Sequence, residues 1–205
     1  LRTFSQDNLR DLSEYSSVPV INALSDQEHP CQALADLLTI YEKFSGFKNV
    51  KIAYIGDGNN VAVSLALAAA TVGVDFVIAS PPGYSISRNV AEEINKRSLQ
   101  SNASFSITSD PLEAISGANV VYTDVWISMG QEQESNDRLK KFSGFQVNES
   151  LLSNTDSSTI FMHPLPAHNE QEISKGLLEH PKSVVFDQAE NRLHIQKAIL
   201  ANIIH

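Results

Sequence analysis

Five places in this 205-residue chain hold side chains whose types and spacing could do chemistry. In SDQEHPCQALAD (25–36), His29 and Gln32 stand three apart around a helix start, so both can point to one spot. Capping by Ser25, Asp26 or Glu28 would explain the same polar run. In IGDGNNVAVS (55–64), the amides Asn59 and Asn60 open a helix after an apolar strand. They can cap that helix, or join its free N–H groups in gripping a carboxylate. Asp124 ends the apolar run of ANVVYTDVW, where a carboxylate either caps the next loop or anchors a substrate amine; Ser128 and Met129 follow in that loop. FMHPLPAHNE (161–170) ends a strand with His163 and sets Leu165 between Pro164 and Pro166. Arg192 lies on a helix near the end of the chain beside Glu190 and His194, where a lone arginine is ordinarily a solvated charge.

Several chemistries are excluded. The glycine-rich turn after Ile55 lacks the third glycine of a dinucleotide fingerprint, because Val61 holds its place. No His or Cys pair has metal-ligand spacing with a third ligand nearby, so no metal is expected. No nucleophile elbow supports a Ser-His-Asp triad. The net charge of −9 argues against a nucleic-acid surface, though a local Arg and His pocket can still hold a small anion. The single cysteine, Cys31, rules out an internal disulfide and fits a reducing compartment. No apolar run is long enough to span a membrane.

The elements that must position these residues follow from periodicity. Apolar runs alternate with amphipathic stretches, which predicts an α/β fold with a doubly wound, mainly parallel sheet and helices on both faces. Residues 6–15 have helical spacing with Leu9 and Leu12 on one face, and PVINAL (19–24) reads as a short strand. From Pro30 a helix places Ala33, Leu34, Leu37, Leu38 and Tyr41 on one stripe. Strands are predicted in NVKIAYIGD (49–57), VDFVIASP, ASFSIT, ANVVYTDVW, STIFMHPLP and SVVF (183–186). Helices are predicted in VAVSLALAAATVG, stopping at Gly73, in RNVAEEINKRSLQ (88–100), and in QAENRLHIQKAILANII (188–204). Residues 47–186 thus read as one complete domain, and 1–30 as the tail of a second α/β domain. The helix over 31–46 and the one over 187–205 bridge the two. LRTF reads as a strand already under way, so the chain is expected to be part of something longer. In such sheets ligands bind beyond the carboxyl ends of strands.

Taken together, EHPCQALADLLT, IGDGNN, TDVWISMGQE, FMHPLPAH and FDQAENRLHIQKA resemble the carbamoyltransferase family, its ornithine-acting branch in particular, and the resemblance runs over residues 1–205. It implies a carbamoyl phosphate-binding domain ending in residues 1–30, an interdomain helix at 31–46, an ornithine-binding domain at 47–186, and a C-terminal helix at 187–205 that returns to the first domain. It also implies that Arg2, His29, Gln32, Leu165 and Arg192 hold carbamoyl phosphate. Asn59, Asn60, Asp124, Ser128, Met129, Pro164 and Leu165 would bind L-ornithine, with Arg2, His29, Asp124 and Arg192 carrying the catalysis. No cofactor is implied, since carbamoyl phosphate is already activated. The implied assembly is a homotrimer or a multiple of trimers, with no nucleic acid or membrane partner, in the cytoplasm or, in a eukaryote, the mitochondrial matrix.

The reaction explains the cast. An amine attacks an acyl phosphate carbon, and negative charge builds on the carbonyl oxygen, where Arg2, His29 and Arg192 would act as cationic and donor groups. Asp124 is suited to orienting amines. Leu165 would offer its backbone carbonyl, whose direction the flanking prolines fix, because each locks its own φ and restrains its neighbour. Two departures stand out. The ornithine branch usually spells the strand-end turn HCLP, whereas His163-Pro164-Leu165-Pro166 is the spelling of aspartate enzymes. Yet residues 124–137 contain no basic residue to receive a second carboxylate, which favours ornithine over aspartate. The family's phosphate-gripping Ser-Thr-Arg-Thr segment is also absent from the chain. The alternatives are a carbamoyltransferase for aspartate, N-acetylornithine or putrescine, or a catalytically silent subunit.

Overall fold

Strands covered on both faces need unbroken apolar runs, and IAYI, FVIA and VVYT supply them. The computed structural model describes residues 1–127 and 132–204. Its elements run α1 (Gln6–Tyr15), α2 (Pro30–Phe44), β1 (Lys51–Ile55), α3 (Asn60–Val72), β2 (Asp75–Ala79), α4 (Arg88–Ser101) and β3 (Phe105–Thr108). They continue with α5 (Pro111–Ile115), β4 (Val120–Thr123), α6 (Ser135–Phe142), α7 (Glu149–Leu152), β5 (Ile160–Met162) and α8 (Val185–Ile203). All strand pairs are parallel, in the order β3-β2-β1-β4-β5. From β1 the chain winds outward through β2 and β3, then returns to β1's other side for β4 and β5. The switch point of this doubly wound sheet therefore lies between β1 and β4, where ligands bind in such folds.

Alternate side chains of each strand enter opposite cores. Ile52 and Tyr54 of β1 pack with α3 and α4, while Ala53 and Ile55 pack with α5, Phe142 and Leu152. Tyr54 and Tyr122 stack across β1 and β4 with centroids 5.5 Å apart, a pairing worth about 0.5–1.5 kcal/mol beyond its burial. That stack holds together the two strands that flank the switch point. Helix α3 is rich in buried alanines (Ala62, Ala66, Ala69, Ala70), which bring it close to the sheet, and ends at Gly73 with a left-handed φ of 82°.

Four expectations are corrected. Residues 19–24 form no strand; Leu24 makes a single parallel bridge to Arg2, with a few scattered backbone bonds beside it, among them Thr3 N–H to the Leu24 carbonyl and Ala23 N–H to the Leu1 carbonyl. Residues 183–186 are not a strand either. Ser183 bridges Phe161 at the sheet edge, but Val185 is already helical, so α8 starts three residues before 188. In α1 only Leu9 is buried and Leu12 is exposed. In α2 the expected apolar stripe is buried only in part: Ala33 and Leu37 are buried, but Leu34 and Tyr41 are exposed while Gln32, Asp36 and Thr39 are buried. The reason is that α2 packs against both α3 and α8, and Asn191 of α8 reaches Thr39 and Glu42 through its amide at 3.0 and 2.8 Å.

Candidate active site

A cleft of about 810 Å³ opens at the switch point. Arg2, His29, Gln32, Asn59, Asn60, Asp124, Pro164, Leu165 and Arg192 all line it. The fold thus brings together nine of the eleven residues singled out from the sequence. Ser128 and Met129 lie outside the described residues.

One wall is cationic. The first turn of α2, with Pro30 at a position where no N–H is missed, puts His29 and Gln32 at the cleft. Arg192 reaches them from α8, donating to the Gln32 side-chain oxygen and approaching His29 Nε2 at 3.4 Å. Arg2 comes from the short bridge to Leu24. Burial, reinforced by the charges of Arg192 and Arg2, lowers the His29 pKa to about 4. His29 is therefore a neutral imidazole at neutral pH, so among the expected cationic and donor groups it can donate but brings no charge. Its backbone N–H donates to Ser64 Oγ at 2.8 Å, which fixes α2 against α3.

The opposite wall is built from strand ends. Asn59 caps α3, its Oδ1 accepting from the N–H groups of Val61 and Ala62, both at 3.1 Å. Its Nδ2 donates to Asp124 Oδ2 at 2.8 Å. The amide expected to cap a helix or grip a carboxylate does both, but the carboxylate is the protein's own. Asn60 donates to the Ser25 carbonyl at 2.7 Å and ties α3 to the segment before α2. Asp124 is buried, which pushes its carboxyl above the usual range, while His163 and the Asn59 hydrogen bond pull the other way.

Between the walls lies the proline turn. His163 is fully buried; its Nδ1 accepts from the Leu165 N–H at 2.9 Å, and its Nε2 is 3.3 Å from buried Glu172. Accepting at Nδ1 places the ring proton on Nε2, facing Glu172. Leu165 is thereby held at a φ of +55°, a left-handed conformation rare for a residue with a Cβ.

Three groups in and behind the cleft were not anticipated. Asp57, just beyond β1, pairs with Arg138 of α6, and both are buried. Arg138 also donates to the Trp126 carbonyl at 2.7 Å and lies over the rings of Tyr84 and Phe142 at 4.9 and 5.4 Å. Burial raises the Asp57 pKa to about 6 against the pull of Arg138. Asp57 follows a strand in the place where ligand groups are sought, so its position was a usable signal; Arg138, inside the polar run SNDRLKKF, gave none. Behind α2's first turn, Asp36 joins Gln32, Tyr122 and Gln188. The spacing of four between Gln32 and Asp36 in an otherwise apolar helix was its only trace.

Fold and site together define an α/β protein with a substrate cleft at the switch point of a doubly wound sheet, closed on one side by residues from outside that sheet. Residues 48–203 match the aspartate/ornithine carbamoyltransferase Asp/Orn binding domain, and residues 1–42 match the carbamoyl-P binding domain of the same family. The chain belongs to the aspartate/ornithine carbamoyltransferase family. It is 50% identical over 204 residues to the ornithine carbamoyltransferase of Geobacillus stearothermophilus, covering 100% of this chain and 66% of that one. Against that of Bacillus subtilis the identity is 49% over 205 residues, with 100% and 64% covered. The ornithine carbamoyltransferase structure from Pyrococcus furiosus superposes with a TM-score of 0.95 at 48% identity, over 99% of this chain and 65% of that chain. The one from Gloeobacter violaceus gives 0.92 at 44% identity, over 100% and 68%. The chain thus spans about two thirds of the length of these relatives.

Proposed function

We propose that this chain forms most of the active site of an enzyme that transfers the carbamoyl group of carbamoyl phosphate to the δ-amine of L-ornithine, giving L-citrulline and phosphate. The observation that carries this reading is the opposition of the two walls: Arg2, Arg192 and Gln32 face Asp124 and the amides across one cleft. The carbamoyl group belongs at the arginine wall, where charge growing on its oxygen meets two guanidinium groups. The amino acid belongs at the Asp124 wall, which suits an ammonium group. The Leu165 carbonyl, fixed from behind by His163 and Glu172, lies between them.

The δ-nitrogen attacks the carbonyl carbon, the carbon–oxygen bond to phosphate breaks, and phosphate leaves with that electron pair. A free alkyl amine has a pKa near that of lysine, about 10.4, so the bound amine must shed its proton before it attacks.

Arg138 supports ornithine over aspartate. It is the arginine of the acceptor wall among the described residues, and its charge is already matched by Asp57. A substrate with a second carboxylate would meet Asp57 and Asp124 on that wall, where the one arginine among the described residues is already paired, which is unfavourable. The proposed homotrimer and cytoplasmic location rest on the family resemblance. Among the described residues no helix is long and apolar enough to cross a membrane.

The test is ureido product formation by the intact protein, with carbamoyl phosphate and ornithine, aspartate, N-acetylornithine or putrescine in parallel. Product with ornithine alone is expected. Preference for aspartate would reverse the assignment of the acceptor wall, and no product with any amine would leave a silent subunit.

A further inference from the structure

Asp36 is fully buried in α2, and its three hydrogen bonds come from neutral donors. Gln32 Nε2 and Gln188 Nε2 donate to Oδ1 at 2.8 and 2.7 Å, and Tyr122 Oη donates to Oδ2 at 2.9 Å. A buried carboxylate without a paired cation is expensive, and an apolar side chain of similar size would ordinarily be more stable there. What the carboxylate supplies instead is directionality, because an ionised carboxylate only accepts.

Each glutamine must turn its NH₂ toward Asp36 and its carbonyl oxygen away. The oxygen of Gln32 then accepts from Arg192 on the cationic wall. The oxygen of Gln188 accepts from the backbone N–H of His163 at 2.9 Å, where the proline turn leaves β5. Gln188 Nε2 also lies 3.2 Å from Tyr122 Oη, so that hydroxyl accepts from one side and passes its own proton toward Asp36.

We propose that Asp36 is a positioning residue that sets the amide orientation of both Gln32 and Gln188, and through them holds Arg192 and the His163–Pro166 turn in register across the cleft. Rotating either amide by half a turn would set an NH₂ against the Arg192 guanidinium or against the His163 N–H. Both are donor-to-donor contacts in a dry interior, which leave a buried donor without an acceptor. The groups facing Asp36 are Gln32 on its own helix, Tyr122 on β4, and Gln188 and Arg192 on α8. Burial raises its pKa to about 6, while the three hydrogen bonds and Arg192 pull it down, so it is ionised at neutral pH.

The test is Asp36→Asn in the intact protein, read by side-chain amide NMR of ¹⁵N-labelled glutamine and by steady-state kinetics. The kinetic arm rests on the carbamoyl-transfer reading; the spectroscopic arm does not. The asparagine amide matches only part of an acceptor-only site, so the Gln32 and Gln188 NH₂ signals are expected to leave their wild-type positions while unfolding stays cooperative. The kcat is expected to fall by roughly two orders of magnitude, as for loss of an aimed donor, with KM for ornithine changed only a few-fold. A variant with both amide signals unmoved, or with kcat within a few-fold of wild type, overturns the proposal.

Should the variant fail to fold, the wild-type protein is titrated from pH 8 downward. Both glutamine NH₂ signals are then expected to follow one midpoint as Asp36 takes a proton. Separate midpoints, or no movement before acid unfolding, overturn the proposal equally. If wild type makes no product with any amine, the function assigned above fails, and the amide signals still decide the role of Asp36.

Discussion

At the scale of single residues, the question is what Pro164 does where ornithine enzymes of this family usually carry cysteine. It lines the cleft, and without an N–H or a polar side chain it can bond no substrate through either. The turn it belongs to is held elsewhere. The Leu165 N–H is bound by His163 Nδ1, and His163 is bound in turn through its backbone to Gln188 and lies against Glu172. The Leu165 carbonyl should therefore keep its direction without a proline before it. Pro164→Cys is expected to leave kcat within a few-fold of wild type and to lower stability by about 0.4–1 kcal/mol through the freer unfolded chain. Product formation and a urea midpoint measured side by side check this. If turnover instead drops by roughly two orders of magnitude, the size of effect seen when an aimed group is lost, the proline ring itself aims the carbonyl.

At the scale of elements, the ends of β1 and β4 are placed by the Tyr54–Tyr122 stack, but their loops are placed by Arg138. One guanidinium joins Asp57 after β1, the Trp126 carbonyl after β4, and the Tyr84 ring after β2, so α6 is fastened to three strand ends at once. Gly58 completes the junction: an added Cβ would lie 2.4 Å from the backbone of Ser85 and Ile86, closer than any side chain tolerates. Removing only the carboxylate, in Asp57→Ala, strands a buried cation and is expected to cost about 3–5 kcal/mol. Replacing both partners, in Asp57→Asn with Arg138→Met, should recover most of that loss, since paired removal of a buried ion pair is often near neutral. Denaturant unfolding of the two variants measures it; equal losses would show that Arg138 acts through packing on Tyr84 and Phe142 rather than through charge. This junction also marks how far sequence could be read. The apolar runs between amphipathic stretches exposed the sheet and the places beyond its strands, because such runs are local, and Asn59, Asn60, Asp124, Pro164 and Leu165 stand there; His29, Gln32 and Arg192 were read at helices, and Arg2 came from the family resemblance alone. Asp57–Arg138 spans 81 positions and Asp36–Gln188 spans 152, so no local pattern encodes either contact. The stripe on α2 was read only in part for the same reason: Ala33 and Leu37 are buried as expected, but the helix also packs against α8, which lies far away in sequence and buries Asp36 and Thr39.

At the scale of the whole molecule, these buried groups couple the fold to protons in a direction opposite to ordinary acid lability. Asp36 and Asp57 are raised to about 6 by burial, and Asp124 is raised by the same cause. His29 is lowered to about 4 by burial and the two arginines. An unfolded chain returns the carboxyls to about 3.9 and the imidazole to about 6.5. Around pH 5 the folded protein therefore keeps most of two carboxyl protons, on Asp36 and Asp57, that the unfolded chain has released. It lacks one imidazole proton that the unfolded chain holds. The folded state is ahead by somewhat under one proton there, so these groups make stability fall as pH rises through pH 5, by about 1.4 kcal/mol per proton per pH unit. Above about pH 6.5 their contributions level off. Urea unfolding of the intact protein between pH 4.5 and 6 should then show less gain with rising pH in wild type than in Asp57→Asn, where one of the retained protons is gone. If the two slopes are equal, Asp57 titrates as an ordinary surface carboxylate and the dry clasp with Arg138 does not persist in solution. If wild type rises more steeply, the Arg138 charge outweighs burial and holds the folded Asp57 carboxyl below its unfolded value, since His29 contributes equally to both proteins.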